Sequence, residues 1–178
     1  RSRGLGDVYK RQSFAANVAL RQALLAPDLV EALVLISPTA IRPAASTPTQ
    51  TLDEMKARLS AHPENIPSLP FGLIDNLTQE HALAARLGGT VHDSDVEGRL
   101  GEVQCATLSL FGLADKTIEP EAAAIYREKI PNSNVSILYD AGHLIAVDSP
   151  EALIDAVTDY VERRETFIVG RQRQIINP

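Results

Sequence analysis

A chain of 178 residues with 44% hydrophobic content is long enough to bury the core of one globular domain. Its net charge of −6, with Lys and Arg scattered rather than gathered into a stripe, argues against a nucleic-acid partner. The lone Cys105 excludes an internal disulfide, and no four Cys/His residues stand at zinc-ligand spacing. The lone cysteine points to a reducing compartment, no run of about 18 apolar residues marks a membrane span, and a cytoplasmic setting is the expectation. The sequence opens at Arg1 rather than Met, which leaves a removed targeting segment open.

Residues 1–12, RSRGLGDVYKRQ, are basic and unlike the Ala/Leu-rich text from Ser13 onward, and GLGDVYKRQ resembles a translated adapter remnant at the end of an environmental sequence fragment. They are read as a non-native leader. From Phe14 to Ala26 only Asn17, Arg21 and Gln22 are polar, which predicts a helix buried on most sides and ended by Pro27-Asp28. Ala32 to Ile36 reads as a central strand of a parallel sheet, and helix followed by buried strand signals an α/β fold.

Between Pro43 and about Val103, Pro breaks separate short amphipathic stretches near 52–60, 78–87 and 94–101, the pattern of a helical insertion. Sheet text resumes at 106–111, continues through a helix at about 120–129, and ends in a strand at 135–139 with Tyr126 and Tyr139 in the core. Strand 106–111 is expected between the other two, because successive right-handed crossovers step in one direction. The last helix opens with Ser149 as N-cap and Pro150 in its first turn, and places Leu153, Val157, Tyr160 and Val161 on one packed face.

Three segments carry the chemistry. SFAANVAL from Ser13 resembles the second half of the nucleophile elbow of α/β-hydrolases, with Ala15 in place of the second Gly of G-x-S-x-G and Arg11 in place of the first. FGLADKTIEP places Asp115 four residues past a strand and resembles that superfamily's acid loop. YDAGH places His143 four residues past the next strand and resembles its histidine loop. The superfamily order is Ser, acid, His, each at the carboxyl end of a strand. Asp115 and His143 stand 28 residues apart, the length one crossover needs.

The resemblance, to the serine-nucleophile branch with a helical cap, covers Ser13 to Pro178 and implies a C-terminal fragment beginning at the elbow. It implies a division into a leader (1–12), hydrolase core (13–42), cap (43–103) and core again (104–178). It assigns Ser13, Asp115 and His143 as the triad and the Phe14 N–H as one oxyanion donor, the second lying upstream. It implies no cofactor and no metal, a small-molecule substrate, and hydrolysis of small or medium apolar carboxylic esters in the intact parent, the fragment itself being inert. Carbon–carbon bond hydrolysis and a non-catalytic binding member are the alternatives, and oligomeric state stays open.

Each residue also has a plainer reading. Ser13 suits a helix N-cap, Asp115 a loop residue bonded to its own turn, and His143 a solvated loop residue. Asp140 is the second candidate for the orienting acid, with Asp148 also near His143. The strand at 32–36 is followed by no carboxylate before Asp53. His62, His81 and His92 are not spaced as a ligand pair and read as solvated, and Met55 reads as cap packing. Gly88-Gly89 lacks any phosphate-loop signature.

Overall fold

The computed structural model describes residues 12–42, 51–67 and 92–163. Their helices and strands run in the order α1 (Phe14–Leu25), β1 (Ala32–Ile36), α2 (Leu52–Leu59), α3 (Ser94–Arg99), β2 (Ala106–Gly112), α4 (Ala122–Lys129), β3 (Ser133–Leu138), α5 (Ile145–Asp148) and α6 (Pro150–Arg163). The predicted stretch near 78–87 and His81 lie outside the described residues.

The strands form one parallel sheet in the order β1-β2-β3, with Ala32 opposite Ala106 and Thr107 opposite Ser133. The order and direction are those expected of right-handed crossovers. Period-2 alternation sends successive side chains to opposite faces. Leu33, Leu35 and Phe111 face a core closed by α1 and α4, through Leu20, Leu24, Ala122 and Tyr126. Val34, Ile36, Leu108 and Leu110 face a second core closed by Leu153, Val157 and Tyr160 of α6. The result is a three-layer α/β/α arrangement in which β2 is buried along its whole length.

Three expectations about burial need correction. Helix α1 buries one stripe, Ala16, Ala19, Leu20, Ala23 and Leu24, while Phe14, Val18 and Leu25 are exposed, because the described elements cover one face only. Val161 is exposed one position past the buried stripe of α6. Tyr139 is 83% exposed because the strand stops at Leu138 on the sheet's edge, whereas Tyr126 is fully buried. Ser149 does precede α6, and its carbonyl accepts from Leu153 N, but its hydroxyl donates to the Asp140 carbonyl at 2.8 Å.

The described segments between β1 and β2 are fastened to the rest of the chain. Helix α2 starts with a capping box between Thr51 and Glu54, and α3 starts with Asp93, whose carboxylate accepts from Val96 N at 3.1 Å. Arg21 of α1 pairs with Asp93, and Lys129 of α4 pairs with Glu97 of α3. Lys129 is the main reason the Glu97 carboxyl is held below its ordinary range, with His92 adding to it. Among the described residues no helix is long and apolar enough to cross a membrane.

Candidate active site

Ser13 lies at the turn between Gln12 and α1. Gln12 pairs in parallel with Ile36, and the Ser13 N–H donates to the Ile36 carbonyl at 2.9 Å, so the turn is docked at the carboxyl end of β1. The Ser13 backbone has φ 57° and ψ −122°, a positive φ that a non-glycine residue adopts at a cost of about 1–3 kcal/mol. An ordinary N-cap has extended backbone and a side chain that accepts from the helix, and Ser13 has neither. The N-cap reading is therefore set aside. Phe14 is the first helical residue, so its N–H is one of the donors that a helix leaves without an internal partner.

The acid and histidine loops are laced together at the carboxyl ends of β2 and β3. Leu113 N donates to the Leu138 carbonyl at 2.8 Å, and Ala114 N donates to the Ala141 carbonyl at 2.9 Å. Gly112 allows this approach: a Cβ there would stand 2.3 Å from the carbonyl oxygens of Ala141 and Gly142. Asp115 and His143 are both buried, and His143 Nδ1 meets Asp115 Oδ2 at 2.9 Å. The other Asp115 oxygen accepts from Thr117 N at 2.7 Å and Ile118 N at 2.8 Å. Asp115 thus satisfies its own turn and orients His143 at once, leaving the Nε2 nitrogen of the imidazole for a third group.

The serine turn and the histidine loop meet through Gln12, whose Nε2 donates to the His143 carbonyl at 2.5 Å. Ser13 and His143 share no hydrogen bond among the described residues. The sequence placed Gln12 in the leader, where nothing marked it as a contact to the histidine loop.

No family model matches the sequence, and no curated protein does. Among solved structures, the chain is similar to a serine hydrolase from the polyaromatic hydrocarbon-degrading bacterium Cycloclasticus zankles, with TM-score 0.69 and 18% identity over 86% of this chain and 62% of that one. The chain has the α/β-hydrolase fold. It is also similar to a meta-cleavage product hydrolase from Pseudomonas fluorescens (TM-score 0.65, 12% identity, 86% and 63% coverage) and to a peroxisomal α/β-hydrolase from Saccharomyces cerevisiae (TM-score 0.62, 16% identity, 92% and 56% coverage). The chain spans less than two thirds of the length of each.

Within this α/β-hydrolase frame the remaining candidates separate clearly. Asp140 is engaged elsewhere: its exposed carboxylate bonds His62 Nε2 at 2.9 Å. That hydrogen bond is the main reason the His62 imidazole titrates above its ordinary value. His62 is therefore paired rather than simply solvated. His92 contacts Glu97 and the Arg42 carbonyl, and Met55 is buried.

Two features were not anticipated. Asp148 accepts from four donors on two segments: Ser60 Oγ and His62 N on one oxygen, and Ala61 N and Gly142 N on the other. Burial works to raise its pKa, but the Ser60 hydroxyl and the amides of Ala61, Gly142 and His62 outweigh it and hold the carboxyl below its ordinary range. Arg42, half-buried five residues after Ser37, has an Nε with no hydrogen-bond partner. Burial and then Arg58 depress its pKa, while Asp115 acts in the opposite sense.

Proposed function

We propose that this chain carries the catalytic groups of a serine hydrolase, with Ser13 as nucleophile, His143 as general base and Asp115 as the acid that fixes the imidazole. His143 Nε2 takes the Ser13 proton as Oγ attacks a substrate carbonyl, and the resulting tetrahedral oxyanion is held by the Phe14 N–H at the start of α1. Collapse expels the leaving alcohol, which receives the proton from His143. Water, activated by the same imidazole, then releases the acid and frees Ser13. Asp115 stabilises the imidazolium that forms twice in this cycle.

The observation that carries the reading is the buried Asp115–His143 hydrogen bond, made by a carboxylate whose other oxygen is already committed to its own turn. Such a pair leaves Nε2 as the nitrogen available to a nucleophile. The preferred substrates on this reading are carboxylic esters of small or medium apolar groups, with residues 43–103 acting as the cap that selects among them.

Arg42 favours a second reading of the substrate. An unpartnered guanidinium nitrogen within the electrostatic reach of Asp115 and Arg58 suits a substrate that carries its own carboxylate, such as the vinylogous diketone acids cleaved at a carbon–carbon bond. The test compares short-chain p-nitrophenyl esters with such an acid, using a reading frame that holds this chain at the full length of its structural neighbours. Turnover of either substrate that disappears in Ser13→Ala supports the serine mechanism, and undiminished turnover in that variant rejects it.

A further inference from the structure

We infer that Asp148 is a positioning residue for His143, acting as a clamp that fixes the histidine loop against the base of the insertion. The inference rests on the reading of His143 as the general base.

His143 is fixed through its backbone on both sides. The residue before it, Gly142, donates its N–H to Asp148 Oδ2 at 2.7 Å. The residue after it, Leu144, donates its N–H to the Leu59 carbonyl at 2.8 Å. Leu59 ends α2, and the next three residues all bond Asp148: Ser60 through its hydroxyl, Ala61 through its N–H at 3.0 Å and His62 through its N–H at 3.3 Å. One carboxylate therefore joins two peptide segments more than 80 positions apart.

The two segments are in van der Waals contact as well. A Cβ on Gly142 would stand 2.9 Å from Ala61 N and 3.0 Å from the Ser60 carbonyl carbon, so the backbones touch where the histidine is presented. An ionised carboxylate that accepts four hydrogen bonds is a strong and geometrically narrow tether. Losing it would leave the Gly142 and Ala61 amides facing each other across a gap with no acceptor between them. Rotation of the Gly142 peptide would then carry His143 Nδ1 out of line with Asp115.

The experiment reads His143 directly, by proton–nitrogen NMR of the 178-residue chain, with a thermal melt on each sample. Asp148→Ala is expected to shift or broaden the His143 Nδ1–H signal and raise its solvent exchange at least tenfold. Asp148→Asn retains one oxygen for Gly142 and should give a smaller change in the same direction. Ser60→Ala removes one donor at a distance from the imidazole and should move the signal measurably but less than Asp148→Ala, while His62→Ala, which keeps the backbone amide, should leave it unchanged.

A His143 signal that stays at its wild-type position in folded Asp148→Ala overturns the inference. Should that variant not fold, wild-type His143 signals in both Asp148→Asn and Ser60→Ala overturn it equally. The readout requires no turnover, so undiminished turnover of the full-length Ser13→Ala enzyme would reject the serine-hydrolase reading and leave this clamp standing or falling on its own.

Discussion

The Ser13 amide hydrogen bonds to the Ile36 carbonyl at 2.9 Å, and this bond holds a positive-φ serine against the end of β1. The turn is kept strained by its docking, since the serine side chain gives nothing back to the helix. Ser13→Gly should therefore raise the unfolding free energy by about 1 kcal/mol, because glycine adopts φ 57° without the Cβ penalty. Ser13→Ala retains that penalty and should stay within about 0.5 kcal/mol of the parent. Urea unfolding of the three chains separates these outcomes, and on the proposed mechanism both variants lose turnover.

Asp115→Asn keeps an oxygen and the side-chain shape but replaces the other oxygen with an amide that donates. Facing Nδ1, that amide would hold His143 in the wrong tautomer, so kcat in a full-length enzyme should fall by about 10⁴-fold, as it does when the acid of a serine-protease triad is so changed. Comparable turnover by the Asn variant would remove Asp115 from the mechanism, and Asp140 could not replace it, being bonded to His62.

Gly112→Ala tests the lacing of the acid and histidine loops. The new methyl would meet two carbonyl oxygens at 2.3 Å, and backbone atoms cannot swing aside as a side chain can. A loss of about 1–3 kcal/mol is expected from such overpacking, with the His143–Asp115 bond lengthened. Denaturant midpoints give the first quantity and the His143 Nδ1–H signal the second.

Two carboxylate contacts should respond to pH in opposite senses. The folded pKa of Asp148 is held below its ordinary 3.8, so its contribution to stability is complete above that value and is lost as pH falls through the folded pKa. The stability gap between the parent chain and Asp148→Asn should accordingly close only in strong acid. His62 has a folded pKa raised above 6.5, so its pairing with Asp140 is complete below 6.5 and fades as pH rises through the folded value. In an NMR titration the His62 midpoint should lie above 6.5 and return toward it in Asp140→Asn.

Much of this architecture is written locally. Leu33 to Ile36 and Leu108 to Phe111 are apolar or small on both faces, which only a strand buried between two layers requires, and the order of crossovers follows from handedness. Asp115 and His143 are legible for the same reason: each follows its strand by a short loop, so the sheet places them. The Asp148 clamp was hidden because its partners at Ser60, Ala61 and His62 lie 86 to 88 positions away and three of its four bonds go to anonymous backbone amides. Tyr139 misled because an apolar run does not announce the residue at which it leaves the sheet. The outer face of α1 misled because Phe14, Val18 and Leu25 are apolar without being covered.

Strands β1 and β2 are hydrogen-bonded neighbours although roughly 70 residues separate them in the chain. The entropy of closing a loop grows only with the logarithm of its length, about 0.6 kcal/mol for each doubling. Lengthening or exchanging that excursion therefore taxes the sheet very little, provided the anchors at Leu59–His62 and Asp93–Glu97 survive. Asp115 and His143, encoded together after it and placed by β2 and β3, would travel through such exchanges untouched, so a lineage built on this scaffold could rewrite the excursion many times while inheriting one unaltered buried acid–imidazole pair.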